Sequence, residues 1–148
     1  KNVVLVAAAG NAGLKSPPLY PAADRDVIAV TATDADDRLF KMANRGDYIV
    51  VAAPGVEVLA LAPGQAFRVT TGTSVAAAHV SGIAALLLQR DPSLKPADIR
   101  RILMTTAKPL VISGPPSTFY PRLVNAYKAL TAPVQSVGVE AARELGKR

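Results

Sequence analysis

One helical segment of this sequence has almost no polar face. Residues 75–89 read VAAAHVSGIAALLLQ, and small or apolar side chains surround nearly the whole helical wheel. A surface helix keeps a charged side, whereas a helix that is apolar all round lies inside a domain. We therefore predict a helix from Ser74 to about Gln89 at the centre of a folded domain.

Short β-branched segments precede this helix and predict a sheet. The first, residues 2–9, is a continuous apolar run, which is typical of a strand covered on both faces. Further strands are predicted at residues 26–33, 48–53, 56–61 and 66–71. After the long helix, Pro96 opens a second helical pattern, and shorter helices are expected at 124–130 and 139–145. This order of elements indicates an open α/β sheet between helices.

Composition excludes several kinds of site and partner. The chain of 148 residues has no Cys and only one His, His79, which excludes disulfides, Cys-based metal sites and a His-dominated metal centre. The longest apolar runs are shorter than the roughly 18 to 20 residues that cross a bilayer, so no membrane partner is expected. The net charge of +6 raises the alternative of nucleic-acid binding. Because the basic residues are dispersed among few aromatic ones, we expect no nucleic-acid partner.

Gly72, Thr73 and Ser74 stand at the predicted start of the apolar helix. A hydroxyl group there lies at the positive end of the helix dipole, beside backbone N–H groups that have no intrahelical partner. Such groups can stabilise the oxyanion that forms on a substrate carbonyl. Ser and Thr are also favoured N-caps, and the tripeptide taken alone favours that simpler role.

A second loop, residues 7–13, follows the first predicted strand and reads AAAGNAG. Open α/β sheets place their ligand crevices at such strand ends, and the Asn11 amide can donate a hydrogen bond to a developing negative charge. A simple Gly/Asn turn is the structural alternative. A phosphate-binding loop is disfavoured, because the first Gly of GxGxxG and a Walker Lys are both absent.

Together these segments resemble the subtilisin-like serine peptidases, the subtilase family. The family pattern around the nucleophile is GTSMAxPHVxG, and residues 72–82 match seven of its nine fixed positions, with Val75 for Met and Ala78 for Pro. The family's oxyanion segment, AAGN, stands at residues 8–11. Segments that resemble its YPA, VIAV, APG, TPxQIRxxL and VNA motifs follow in the family's order at 20–22, 27–30, 53–55, 96–103 and 124–126. Residues 44–46 resemble the tail of its FSNRG motif, whose opening is replaced by Met42 and Ala43.

The resemblance implies a three-layer subtilisin-like α/β fold with a mostly parallel sheet between helices, of which only the C-terminal part is present. Residues 1–131 would be that part of the catalytic domain, and 132–148 a tail with a short helix. Ser74 would be the nucleophile, and Asn11 would form the oxyanion hole with the Ser74 backbone N–H. Roles in substrate binding would fall to Ala8, Ala9, Gly10, Leu19, Gly72 and Thr73. Leu19, near the floor of the pocket, would favour smaller apolar side chains.

The family's catalytic Asp and His precede its AAGN segment, and neither motif stands before residue 8 here. His79 does not replace that His, because five steps along a helix place it about 140° round from Ser74. In the family this His is structural, and we expect a packed, hydrogen-bonded side chain. The chain thus carries half of a catalytic site and is expected to be inactive alone. The strand at 3–9 and the helix at 75–88 would be central in the complete fold, so part of their apolar surface should be bare in this chain. That surface should favour self-association or pairing with the missing N-terminal half.

The resemblance also implies a peptide or protein substrate and a secreted or periplasmic parent protein. Subtilases often bind calcium, but the segment at 48–51 has no carboxylate, so we expect no metal and no cofactor in this chain. The nearby acidic residues Asp34, Asp36 and Asp37 indicate a solvated turn. The alternative function is an inactive subtilase-like domain that serves as a binding or structural module.

Overall fold

A computed structural model describes residues 2–64, 66–110 and 121–133 of the chain. The elements in chain order are β1 (Val6–Ala8), β2 (Ile28–Thr33), β3 (Ile49–Pro54), β4 (Val58–Ala62), β5 (Ala66–Thr70), α1 (Thr73–Arg90), α2 (Pro96–Thr106), β6 (Lys108–Pro109), β7 (Arg122–Leu123) and α3 (Ala126–Thr131). The helix expected at 139–145 lies outside the described residues.

The main sheet has the strand order β1-β2-β3-β7-β6. Strands β1, β2, β3 and β7 run parallel to one another, and only β6 is antiparallel to its neighbour. Strand β2 is buried along its whole length, and β3 is buried except at Pro54. Such full burial suits their Val, Ile and Ala content, because parallel strands are covered on both faces. The predicted mostly parallel α/β sheet is confirmed.

Strands β4 and β5 do not join this sheet. They form a separate antiparallel ribbon in which Leu59 pairs with Val69 and Leu61 pairs with Phe67. These four side chains are all exposed. Periodicity predicts the two strands but not their partners, and a short connection favours pairing of the strands with each other.

Helix α1 packs against β1, β2 and β3 of the sheet and also against α3. Its buried residues are Thr73, Ala76, Val80, Ile83, Ala84 and Leu87. Ala78, Ala85 and Leu86 are exposed, so the expected bare apolar surface on this helix is confirmed. The sheet lies against the buried side of the helix, α3 also packs against α1, and the side that carries Ala78, Ala85 and Leu86 remains exposed.

Strand β1 lies at the edge of the sheet, and the segment that contains it is covered on one face, where Val4 and Val6 pack against the core. It is shorter than the predicted strand at 2–9, and its three residues are only partly buried. Val3 and Leu5, which precede it, are 56% and 51% exposed. The predicted cover on both faces of this segment is therefore absent among the described residues.

The loop after β3 brings Gly55 against the start of α1. The Gly72 N–H donates to the Gly55 carbonyl oxygen at 2.7 Å. A Cβ atom on Gly55 would lie 2.8 Å from both the Gly72 oxygen and the Ala32 Cβ. Only a residue without a side chain allows this close approach, which fixes the helix start over the carboxyl end of the sheet.

We predict opposite effects for two Gly-to-Ala substitutions in this chain. Gly55→Ala should lower the free energy of unfolding by about 1–3 kcal/mol, because the new methyl group overlaps fixed backbone. Gly82→Ala should raise it by about 0.5–1 kcal/mol, because this position inside α1 has open space around it. Urea unfolding measures both values, and equal changes in the two variants would contradict the close-approach argument.

Candidate active site

Two reciprocal hydrogen bonds join the loop after β1 to the start of α1. The Gly10 N–H donates to the Thr73 Oγ1 at 3.1 Å, and the Thr73 N–H donates to the Asn11 Oδ1 at 2.9 Å. Thr73 is fully buried, so its N–H and hydroxyl groups in these two bonds are shielded from water. The two motifs that sequence analysis singled out, 62 residues apart at Asn11 and Thr73, are therefore in direct contact.

These bonds determine how the Asn11 carboxamide is used. Its oxygen accepts from Thr73, and its Nδ2 group remains a donor on an exposed residue. A Cβ atom placed on Gly72 would lie 3.3 Å from the Asn11 Nδ2 and 3.3 Å from the Ser74 Oγ. The amide donor and the hydroxyl thus flank the same small space, which the absence of a side chain at Gly72 leaves open.

Ser74 is the second residue of α1, and it is exposed. The backbone N–H groups of the first helical turn have no intrahelical acceptor and carry the positive end of the helix dipole. No acidic residue lies in this first turn to neutralise it. The N-cap is Gly72, without a side-chain capping bond, so the alternative that Thr73 or Ser74 caps the helix is wrong.

The expected pocket residues differ in their exposure. Ala8 and Gly10 are half-buried, and Leu19 is 43% exposed. Leu19 lies beside Gly10, since its Cδ1 would be 2.9 Å from a Cβ on that glycine. Ala9, in contrast, is fully buried, and its carbonyl oxygen accepts from the Tyr48 hydroxyl at 3.3 Å.

Gly72 and Thr73 are buried as well. Among the six predicted substrate-binding residues, only Ala8, Gly10 and Leu19 are therefore at least partly exposed to solvent. The buried three, Ala9, Gly72 and Thr73, shape the site through their backbone and through hydrogen bonds that hold the loop and the helix together.

His79 lies on the uncovered side of α1. Its Nδ1 is 3.1 Å from the Val75 carbonyl oxygen one turn earlier, so the expected hydrogen bond is present. The side chain is exposed, so the expected packing of His79 is not observed among the described residues.

Asn44 is a residue of the candidate site that the sequence pattern did not predict. This residue is fully buried, and its side chain donates to the Ala9 carbonyl oxygen at 2.9 Å and accepts from the Ala12 N–H at 2.8 Å. Its backbone N–H donates to the Gly10 carbonyl oxygen at 2.9 Å. The NRG segment at 44–46 resembles a family motif, but the pattern alone does not show where the amide points.

Two ionisable neighbours of Asn44 are partly buried. Burial raises the pKa of the Tyr48 phenol, and a hydrogen bond with Asn44 offsets part of that rise. Burial also lowers the pKa of the Arg45 guanidinium. Arg45 donates to the carbonyl oxygens of Phe40 and Ala43, so it stabilises the loop that carries Asn44.

The acidic residues of the predicted turn are engaged in hydrogen bonds and an ion pair. Asp34 accepts hydrogen bonds from the N–H groups of Asp36 and Arg38, while Asp37 pairs with Lys108 at 2.6 Å. Across the described ranges, no three acidic or His side chains come together to hold a metal ion. The expectation that calcium does not bind this chain remains a prediction.

Comparison with known proteins identifies the family. The model of the subtilase family matches residues 1–136. The chain belongs to the subtilase family. It is 40% identical over 131 residues to the thermophilic serine proteinase of Bacillus sp. (strain AK1), a match that covers 88% of this chain and 31% of that protein. It is also 39% identical over 130 residues to thermitase of Thermoactinomyces vulgaris, covering 88% of this chain and 45% of thermitase. This subtilase chain thus spans less than half the length of these relatives.

Solved structures of related proteases share the fold. Fervidolysin from Fervidobacterium pennivorans, a keratinolytic enzyme related to subtilisin, aligns with a TM-score of 0.78 at 32% identity, over 91% of this chain and 23% of that one. A protease from Pseudoalteromonas arctica aligns with a TM-score of 0.80 at 29% identity, over 88% of this chain and 43% of that one. The subtilisin-like fold class expected from the sequence is confirmed. No helix in the described portion of the chain is long and apolar enough to cross a membrane.

We predict that Tyr48 makes the fold sensitive to alkali. A phenol whose pKa is raised by folding stabilises the protein fully below the unfolded-state pKa of about 10, and this stability is lost as pH rises through the folded-state pKa. Tyr48→Phe should therefore flatten the fall in the free energy of unfolding above about pH 10. The control is Tyr127→Phe, at an exposed tyrosine. Denaturant unfolding at several pH values measures the slopes, and identical slopes for both variants would rule out this role.

Proposed function

We propose that this chain supplies the nucleophile and the oxyanion hole of a serine endopeptidase. The observation that carries the proposal is the placement of the Asn11 Nδ2 and the Ser74 Oγ around one open space at the N-terminus of α1. Family membership and similarity to a serine proteinase and to thermitase support the same chemistry. The substrate class would be a peptide or protein.

In the proposed reaction, the Ser74 oxygen attacks the carbonyl carbon of a peptide bond and loses its proton to a His. The carbonyl oxygen becomes an oxyanion that accepts hydrogen bonds from the Asn11 Nδ2 and the Ser74 N–H. The C–N bond then breaks, and the protonated His gives its proton to the leaving amine, which leaves an acyl group on Ser74. Water, activated by the same His, hydrolyses this acyl-enzyme and restores the hydroxyl group.

The His and the Asp that orients it are proposed to come from a segment outside this chain, the N-terminal half of the same catalytic domain. Two surfaces suit such a partner. The outer face of α1 is lined by small residues such as Ala78 and Ala85, and the edge of β1 carries exposed Val3 and Leu5. We propose that the chain alone is inactive for lack of these groups, and that the parent protein is secreted or periplasmic.

A second candidate function is a subtilase-like domain that binds without cleaving. Ala78, which replaces a proline of the family motif next to His79, is the feature that favours it. The two candidates differ in whether Ser74 is reactive.

We expect a fluorophosphonate probe to label Ser74 in a protein that joins this chain to the upstream Asp and His motifs. Ser74→Ala should abolish labelling, because among the serines that the structure describes only Ser74 lies beside both the N-terminus of α1 and the Asn11 amide. The matched control is Ser81→Ala on the same helix, whose hydroxyl bonds to the Ala77 carbonyl oxygen. Labelling that survives in Ser74→Ala would exclude Ser74 as the nucleophile, and absence of labelling in the unmodified protein would favour the binding function.

We also expect the isolated chain to self-associate through bare apolar surface. The β4–β5 ribbon exposes Leu61 at 80% and Phe67 at 65%. Replacing both by Ser should shift the chain toward monomer in sedimentation equilibrium, because less apolar area is removed from water on association. Tyr127→Ser, at a side chain that is 77% exposed on α3, is the control. An unchanged mass distribution in the double variant would show that the ribbon is not the contact.

A further inference from the structure

We propose that Asn44 is a positioning residue for the oxyanion hole, acting on catalysis only through Asn11. This inference rests on the proposed function, because it assigns to Asn11 the donor of that hole. Asn44 reaches the site from the loop between β2 and β3, whereas Asn11 lies after β1 and Ser74 lies in α1.

Asn44 makes hydrogen bonds to the backbone on both sides of Asn11, the residue that it is proposed to position. Its Nδ2 donates to the Ala9 carbonyl oxygen, its backbone N–H donates to the Gly10 carbonyl oxygen, and its Oδ1 accepts from the Ala12 N–H. The distances are 2.9, 2.9 and 2.8 Å. Backbone on both sides of Asn11 is thus fixed by one buried residue, and Asn11 itself is left exposed.

The chemistry of this clamp requires a carboxamide. Ala9 offers an acceptor and Ala12 offers a donor, so the clamping side chain must donate from one atom and accept at another. An ionised Asp accepts only, and Ala does neither. A buried donor or acceptor that loses its partner costs about 1–3 kcal/mol. Replacing Asn44 should therefore destabilise the present position of the loop and displace its backbone.

Close contact at Gly10 strengthens the coupling. A Cβ atom there would overlap the Asn44 Nδ2, and the backbone has a φ of +106°, which residues with a side chain rarely adopt. The loop backbone therefore lies directly on the Asn44 amide. Asn11 is held at two points, by Asn44 through its flanking backbone and by the Thr73 N–H through its own oxygen.

This arrangement predicts an effect on the chemical step rather than on substrate binding. An oxyanion donor acts on the transition state, so its displacement lowers kcat and leaves KM nearly unchanged. Loss of the donor itself costs about 10²–10³ in kcat in the general case of an oxyanion-hole amide. A loosened donor should cost less, and we expect about a tenfold loss or more for Asn44→Ala.

The test is a double-mutant cycle in a protein that carries this chain together with the upstream Asp and His motifs. Asn44→Ala, Asn11→Ala and the double variant are assayed for kcat and KM on one peptide substrate, with rates expressed per active site titrated by the probe. We expect Asn44→Ala to lower kcat in the parent protein and to have no further effect when Asn11 is already Ala. Val51→Ala, which truncates a fully buried side chain on β3, should leave kcat per titrated site unchanged.

Each other outcome is decisive. If Asn44→Ala lowers kcat by the same factor in both backgrounds, Asn44 does not act through Asn11 and the inference is overturned. If it changes KM instead of kcat, the inference is also overturned. If Asn11→Ala leaves kcat unchanged, the oxyanion role of Asn11 fails, and with it the proposed function. If Asn44→Ala does not fold, Asn44→Ser is used in the same cycle, since its hydroxyl group can donate or accept and adds no buried charge.

Discussion

The contact between the loop after β1 and the start of α1 is the interaction on which the rest of the candidate site depends. The Gly10 N–H donates a hydrogen bond to the Thr73 hydroxyl group, and the Thr73 N–H donates one to the carboxamide oxygen of Asn11. Each partner satisfies a group that folding would otherwise bury or leave at an open helix end. Because the Asn11 oxygen is engaged in one of these bonds, its Nδ2 group remains available as a donor. The bonds that stabilise the contact therefore also set the geometry of the candidate site.

Small residues make this contact possible. Because Gly55 has no side chain, the Gly72 N–H at the helix start can donate a hydrogen bond to the Gly55 carbonyl oxygen. Gly72 in turn leaves open the space between the Asn11 and Ser74 side chains. Gly10 lets the loop backbone lie on the Asn44 amide. Three glycines from three separate segments therefore leave room that a side chain would fill. Gly55 faces the Gly72 carbonyl oxygen, Gly10 faces the Asn44 side chain, and Gly72 faces the side chains of Asn11 and Ser74.

The fold class and the core of the site could be predicted from the sequence because their signals are local. The β-branched runs, the apolar helical segment and the motifs around Asn11 and Ser74 each occupy a few consecutive residues. The pairing of β4 with β5 and the exposure of His79 could not be predicted, because they depend on which surfaces other elements cover. Asn44 lies within a family-like motif, yet its importance comes from contacts with residues 32 to 35 positions away.

The β4–β5 ribbon has a consequence for the order in which this chain folds. Its strands are joined by a short connection, so closing that loop costs little entropy, whereas β1 must pair with β2 across a gap of about 20 residues. Hairpins form within microseconds, and parallel pairing of distant strands is slower. The segment that leads directly into Gly72 is therefore expected to acquire structure before the sheet does. Ser74 then follows a hairpin that has already formed, while Asn11 reaches its final place only when β1 joins the sheet.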